Sequence, residues 1–278
     1  MALNSNPQTP RQTTSGDRQR VPQVASAKPG ELISTITVQK GPVDILGRFF
    51  LAADAGARAR GVTLSFGTFD DITATNALNR DSWKPLHSMF DMRFHDFNPA
   101  NSFCIIGRNA EGDVVATQAA RRIDLTGTTL YDEAVSLKLC YDHPERDKAP
   151  GEYCTVSAEM TKSITGIALL GGAVWYRKDY RGQALATILP RLSRAYAHTI
   201  WEQDYTTSMM VAGVANGGVA AASGYTNIQP DVKFINNPMG NVHTYFVWME
   251  PPQLIADLRS YLGGLETQID TGVLERRA

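Results

Sequence analysis

No run of about 18 consecutive apolar residues occurs in the 278-residue chain, so no membrane-spanning helix is expected. Cysteine is scarce. The three residues Cys104, Cys140 and Cys154 are too few, and odd in number, for a disulfide framework, and they fit reduced thiols in a cytosolic setting. Neither sign of charge dominates: 27 Lys and Arg stand against 28 Asp and Glu, a formal charge of −1. A general nucleic-acid binder needs a surplus of cations to displace phosphate counterions, so no nucleic-acid partner is expected. Residues 1–30 have no apolar h-region, which argues against a secretory signal. They also hold too little apolar surface to offset chain entropy, so a disordered tail is expected there. Both the Walker loop and the Gly-x-Gly-x-x-Gly loop are missing. Ala222-Ser223-Gly224 lacks the first glycine of a nucleophile elbow. Cys140-x-x-His143 with Cys154 has irregular spacing for zinc, and no metal site is expected.

What is present suffices for a sizeable core. Hydrophobic residues make up 43% of the chain, and residues 31–278 read as one domain. Val43–Arg60 places Ile45, Phe49, Phe50, Ala53 and Ala57 on one helical stripe. Val62–Phe69 alternates as a half-buried strand, and Asp70 or Asp71 can cap a following helix. Two short helical stretches are expected up to Arg93. Ser102–Asn109 and Asp113–Asp124 flank Gly112 as a hairpin. The polar stretch Tyr141–Tyr153 reads as a surface loop. Ser163–Tyr176 is a glycine-interrupted buried strand, and Gly182–Trp201 a helix in which Pro190 predicts a kink. Thr206–Ala215 is another buried strand, followed by a short helix over Gly217–Gly224. Strands near Ile228–Ile235 and Val242–Met249 precede a last helix, Pro251–Leu262, stopped by Gly263-Gly264. The strand–helix–strand unit from Ile164 to Ala215 implies parallel neighbours, while the hairpins imply antiparallel pairs. The expected fold class is α/β, a mixed central sheet with helices on both faces.

The most informative segment is Val174 to Ala186. A buried strand ends, a charged turn follows, and a helix begins. Such a junction aims free N–H groups and the positive end of a helix dipole at one point. Gly182, Ala184 and Ala186 let a ligand approach the backbone, and Arg181 adds a fixed positive charge. The arrangement predicts a phosphate or pyrophosphate pocket.

Tyr180-Arg181-Gly182-Gln183-Ala184-Leu185-Ala186 resembles the acetyl-CoA pyrophosphate loop of the GNAT superfamily of N-acetyltransferases, Gln/Arg-x-x-Gly-x-Gly/Ala. Arg181 matches the first position and Ala186 the last. Ala184 departs from the family, which usually has glycine there. Asn216, with Gly224-Tyr225 after it, is similar to the family's Asn-x-x-Ala … Gly-Phe segment, and implies a contact to the pantetheine arm. The resemblance implies a GNAT-like fold and acyl transfer from acetyl-CoA or another acyl-CoA to a small-molecule amine or peptide acceptor. Cofactor contacts would then come from Val174, Trp175, Tyr176, Arg181, Gly182, Gln183, Ala184, Leu185, Ala186 and Asn216. A backbone N–H near Trp175 or Tyr176 would polarise the thioester carbonyl. Glu159 is the first choice for a general base, and Tyr225 for the acid that protonates the thiolate. Trp175 and Tyr176 could line a pocket for a longer acyl chain or serve as core. The acyl-homoserine-lactone and N-acyl amino acid synthases share this fold, and Trp83…Phe90…Phe94 is reminiscent of them. The alternative reading is a non-catalytic relative that binds an acyl-CoA-like ligand or a protein partner, which the alanines at 184 and 220 favour.

Overall fold

The structure is a computed structural model that describes residues 30–275, with side chains through residue 265. The tail expected over 1–30 lies, apart from Gly30, outside the described residues. A one-turn helix, α1 (Leu32–Thr35), leads into α2 (Val43–Arg58). Leu46, Phe49, Phe50, Ala53 and Ala57 form the buried stripe of α2, with Ile45 at its margin. Strand β1 (Thr63–Gly67) and helix α3 (Phe69–Leu78) follow. The cap of α3 is Thr68, not Asp70 or Asp71. Thr68 accepts the Asp71 N–H, and the Asp71 carboxylate accepts the Thr68 N–H, a reciprocal capping box. The second expected helical stretch is a loop with one 3₁₀ turn, Ser88–Phe90. Pro85 biases Lys84 away from helix, which accounts for the difference.

β2 (Ser102–Arg108) and β3 (Val114–Leu125) make the expected hairpin. Short helices α4 (Leu130–Val135) and α5 (Pro144–Asp147) precede β4 (Tyr153–Val156). The surface loop expected over Tyr141–Tyr153 needs correction at both ends. Tyr141 is fully buried, and its hydroxyl donates to the buried Glu152 carboxylate at 2.8 Å. The Ala149 N–H and Asn237 Nδ2 donate to the same carboxylate at 2.9 and 2.7 Å, so the charge is held by three donors.

β5 (Gly166–Tyr176), α6 (Leu185–Trp201) and β6 (Tyr205–Val211) form the strand–helix–strand unit. Two short helices follow, α7 (Ala212–Asn216) and α8 (Val219–Ala222), then the hairpin of β7 (Asn227–Asn237) and β8 (Gly240–Met249). The last helix, α9 (Pro251–Glu275), runs through the expected stop at Gly263-Gly264. Neither glycine adopts the left-handed conformation that a glycine stop uses, and Leu254, Leu258 and Leu262 hold the helix on the core.

The eight strands form one sheet in the order β1-β2-β3-β5-β6-β8-β7-β4. Among the described residues β5–β6 is the one parallel pair. One core cluster gathers residues of α2, α6 and α9 on one face of the sheet. A second gathers α3, α4 and the 83–97 loop on the other. The mixed sheet with helices on both faces is therefore as expected. The three cysteines are free and buried. No helix among the described residues is long and apolar enough to cross a membrane.

Candidate functional site

The parallel pairing of β5 and β6 covers only Ala168↔Tyr205 to Gly171↔Ser208. Beyond that point β5 continues against β3 as far as Tyr176, and β6 continues against β8 as far as Val211. The sheet therefore forks, and among the described residues the inner edge of β5 past Gly171 has no strand partner. A bulge sharpens the fork: Ala119 faces Gly172 while Thr117 faces Trp175, so β5 carries an extra residue. Ala173 sits in the bulge with a left-handed φ of 48°, and its carbonyl accepts the Thr117 hydroxyl at 2.9 Å.

A cavity of about 420 Å³ occupies the fork. It passes through the sheet, because its walls come from both core faces. On one side stand Tyr176, Pro190, Ser193, Arg194, Met210 and Tyr225; on the other stand Trp83, Leu86, His87, Met89, Phe90 and Met209. Gly172 is required by the close approach of Phe90, whose ring would overlap any Cβ there. The lining is mostly apolar, yet it carries buried polar atoms with no partner among the described residues: His87 Nε2, Gln118 Oε1, Tyr176 Oη, Ser193 Oγ, and Nε and Nη1 of Arg194. Unmade hydrogen bonds of this kind are costly and mark a place where a ligand completes them. Burial holds the His87 imidazole down at about 4. Burial also raises the phenols of Tyr176 and Tyr225; the Arg194 guanidinium, 4.6 Å from the Tyr225 ring centre, opposes the shift at Tyr225.

Beside the cavity lies the Val174–Ala186 junction. Arg181 donates to the carbonyls of Tyr176 and Ser82 at 3.0 and 3.1 Å, and so ties the end of β5 to the 82–90 loop. Gly182 has a φ of +78°. Ala184 is the N-cap of α6 with a φ of 58°, and no side chain caps the helix. The N–H groups at the start of this 17-residue helix are thus left for solvent or a ligand, next to Arg181 and to Arg60, which donates to the Gln183 carbonyl. Pro190 stands inside α6 and removes the bond to the Ala186 carbonyl, toward which the Ser223 hydroxyl turns at 3.4 Å.

Val174, Tyr176, Ala186 and Tyr225, among the residues singled out in the sequence, line the cavity. Arg181, Gly182, Gln183 and Ala184 cluster at the start of α6. Leu185 instead packs into the core, and Asn216 is exposed at the end of α7. Trp175 is also core: it is 3% exposed, stacks on Trp83 at 5.5 Å, and its Nε1 donates to the Ser82 hydroxyl. Glu159 is not brought to the site. It lies in a surface 3₁₀ turn with 73% of its side chain exposed, paired with Lys162 at 2.9 Å. That turn lies between the end of β4 at Val156 and the start of β5 at Gly166, so Glu159 stands on no strand. His87, Gln118, Ser193 and Arg194 were missed, because an isolated polar residue carries no periodic or motif signal.

No protein-family model matches the chain, and no curated protein does. Among solved structures the chain is similar to Arabidopsis thaliana NAA60 in complex with acetyl-CoA, at 9% identity and a TM-score of 0.42, over 69% of this chain and 99% of that one. It is similar to mutant forms of the spermidine/spermine N-acetyltransferase SpeG from Vibrio cholerae, at 9% identity and a TM-score of 0.43, over 70% and 97% of the two chains. AAC(6')-Ib in complex with ribostamycin and coenzyme A is similar at 11% identity and a TM-score of 0.38, over 69% and 95%.

Proposed function

We propose that the chain is an acyl-CoA-dependent N-acyltransferase of the GNAT type, moving an acetyl or longer acyl group from CoA to an amine. The observation that carries this reading is the through-sheet cavity at the β5–β6 fork, set beside the uncapped start of α6. The pyrophosphate would sit on the N–H groups at the start of α6, near Arg181, Gly182, Gln183 and Ala184. The pantetheine arm would enter between Val174 on β5 and Val211 on β6, which are 42% and 47% exposed. An extended amide chain there finds what it needs: the unpaired backbone edge of β5 offers N–H and C=O groups as a neighbouring strand would. The thioester carbonyl would take an N–H from the bulged segment around Ala173 and Val174.

The two substrates then approach from opposite faces and meet in the fork. Holding them there converts a two-body encounter into a positioned reaction. Attack by a neutral amine gives a tetrahedral oxyanion; its collapse breaks the C–S bond and releases the CoA thiolate. Tyr225 is our choice for the proton donor to that thiolate, because it lines the cavity as an intact phenol.

Calorimetry with CoA and thiol release from acetyl-CoA with a panel of amines test the proposal. CoA should bind and raise the melting temperature. Ala184→Asp should abolish both effects, since a carboxylate at the start of α6 repels phosphates. Binding of CoA without thiol release from any amine would move the reading to a non-catalytic binder.

A further inference from the structure

We propose that the acceptor is a weakly basic primary amine on an uncharged apolar body with a neighbouring carbonyl, such as an apolar amino-acid amide, and not an alkyl polyamine. This rests on the acyltransferase reading and specifies its second substrate. Three observations lead to it.

The first is the charge of the walls. Among the described residues no Asp or Glu lines the cavity. Its charged lining residues are Lys84 and Arg194. Arg194 is balanced by Asp257 at 3.4 Å, behind the wall. The carboxylate of Asp81, near the mouth, is bound to Lys178 at 2.6 Å. Lys84 has no ion pair among the described residues. An ammonium entering this cavity would leave water for an apolar wall and meet a like charge. A polyamine, which stays protonated near neutral pH, has no group to receive it.

The second is the want of a base. Glu159 is remote, and the tyrosines hold their protons. His87 is the imidazole of the lining. Its Nδ1 accepts the Met89 N–H at 3.4 Å, which assigns the ring proton to Nε2. The acceptor amine must therefore arrive already neutral. An α-amine has a pKa of about 8 and an alkyl amine of about 10.4, so at pH 7.5 their neutral fractions differ by about 200-fold.

The third is a donor and an acceptor among the orphaned atoms. His87 Nε2 is a buried donor and Gln118 Oε1 a buried acceptor, neither with a partner among the described residues, on two residues that line the same cavity. An α-amino carbonyl compound supplies the complements: its C=O accepts from His87, and its amine N–H donates to Gln118. Trp83, Leu86, Met89, Phe90 and Met209 receive the apolar body. The step balances without a co-reactant: N–C forms, C–S breaks, Tyr225 gives its proton to the departing thiolate, and one amine proton restores the phenol.

The test compares phenylalaninamide with phenethylamine and spermidine at pH 7.5, with acetyl-CoA and thiol release as the readout. Phenethylamine has the same ring and chain but a more basic amine and no carbonyl. We expect kcat/KM for phenylalaninamide to exceed that for phenethylamine at least 10-fold, with no turnover of spermidine. His87→Gln, which keeps a donor at the same reach, should retain most of the phenylalaninamide rate, and His87→Phe should lose at least 10-fold. Spermidine or phenethylamine turned over as well as phenylalaninamide would overturn the acceptor class and leave the acyltransferase reading standing. Equal losses in His87→Gln and His87→Phe, with CoA binding unchanged, would identify His87 as the base and overturn the base-free site. Absence of thiol release with every amine would remove the acyltransferase reading and this inference with it.

Discussion

His87 keeps a neutral ring inside the protein because nothing around its Nε2 compensates a charge. The unfolded imidazole titrates near 6.5 and the folded one at about 4. Between those values the unfolded state binds the extra proton, so stability rises with pH across the window and is lost as pH falls toward 4. We expect His87→Gln to weaken the acid-side fall by about 1–3 kcal/mol, which urea unfolding at pH 7 and pH 4.5 would measure against wild type. His95 and His198 are also shifted down by burial and stay in both proteins, so the difference isolates His87. An equal fall in both would show that His87 is solvated. Ala184 is strained differently, since its φ of 58° places a Cβ in the left-handed region. Ala184→Gly should stabilise the fold by about 1 kcal/mol in the same assay and leave the anion site intact. Glu159→Gln removes one exposed ion pair. It should alter acyl transfer by less than a few-fold, and a large loss would restore it to the mechanism.

Two elements carry the site, and each was legible only in part. The run from Ser163 to Tyr176 is apolar enough to announce a buried strand, and β5 is one. Its glycines hinted at irregularity, but the bulge at Ala173 and the fork after Gly171 depend on which strands flank β5. Gly172→Ala tests how tightly that element is set. The added methyl overlaps the Phe90 ring, and overpacking of this kind typically costs about 1–3 kcal/mol. Thermal unfolding should show the loss, and the KM for the amine should rise with it because Phe90 walls the acceptor side of the cavity. An unchanged midpoint would mean that the 82–90 loop yields freely. Helix α6 was legible through its Leu185, Ile188 and Leu192 stripe, and its start through Gly182 and Ala184. Loop residues were not. Met89 is held by the buried Arg121, which donates to the carbonyls of Met89 and Leu139 at 2.6 and 3.0 Å, and the 84–86 backbone by Asn76, whose amide donates to the Lys84 carbonyl and accepts the Leu86 N–H. The Arg121 contact is a long-range tie with no local signature.

At the scale of the whole molecule, α9 decides whether the far wall of the cavity keeps its shape. Asp257 accepts a bidentate pair from Arg191, both bonds at 2.9 Å, and a third contact from Arg194 at 3.4 Å. Arg191 also donates to the Ala222 carbonyl at 2.7 Å, and Arg194 to that of Ser223. One carboxylate therefore joins α9, α6 and the end of α8, just before Tyr225. Gly224 is glycine for the same reason, since its φ is +89° and a Cβ would overlap the Asp257 carboxylate. The side chains of Arg191 and Asp257 are only 10% and 13% exposed, so water cannot replace what the carboxylate supplies. Asp257→Asn keeps the shape and one acceptor oxygen but leaves two buried guanidinium groups facing a neutral amide. Breaking a buried pair from one side typically costs about 3–5 kcal/mol, and the amide's remaining oxygen places the expected loss near the lower figure. Tyr225 and Ser223 line the cavity, so CoA binding should weaken in the same variant even where the protein remains folded. Asp179→Asn serves as the control, because Asp179 pairs with Arg177 at the surface and should cost less than about 1 kcal/mol. Calorimetric unfolding and CoA titration of the two variants decide the matter. A melting temperature for Asp257→Asn equal to that of Asp179→Asn would show that α9 merely covers the core, and that the cavity wall is set by α6 and α8 alone.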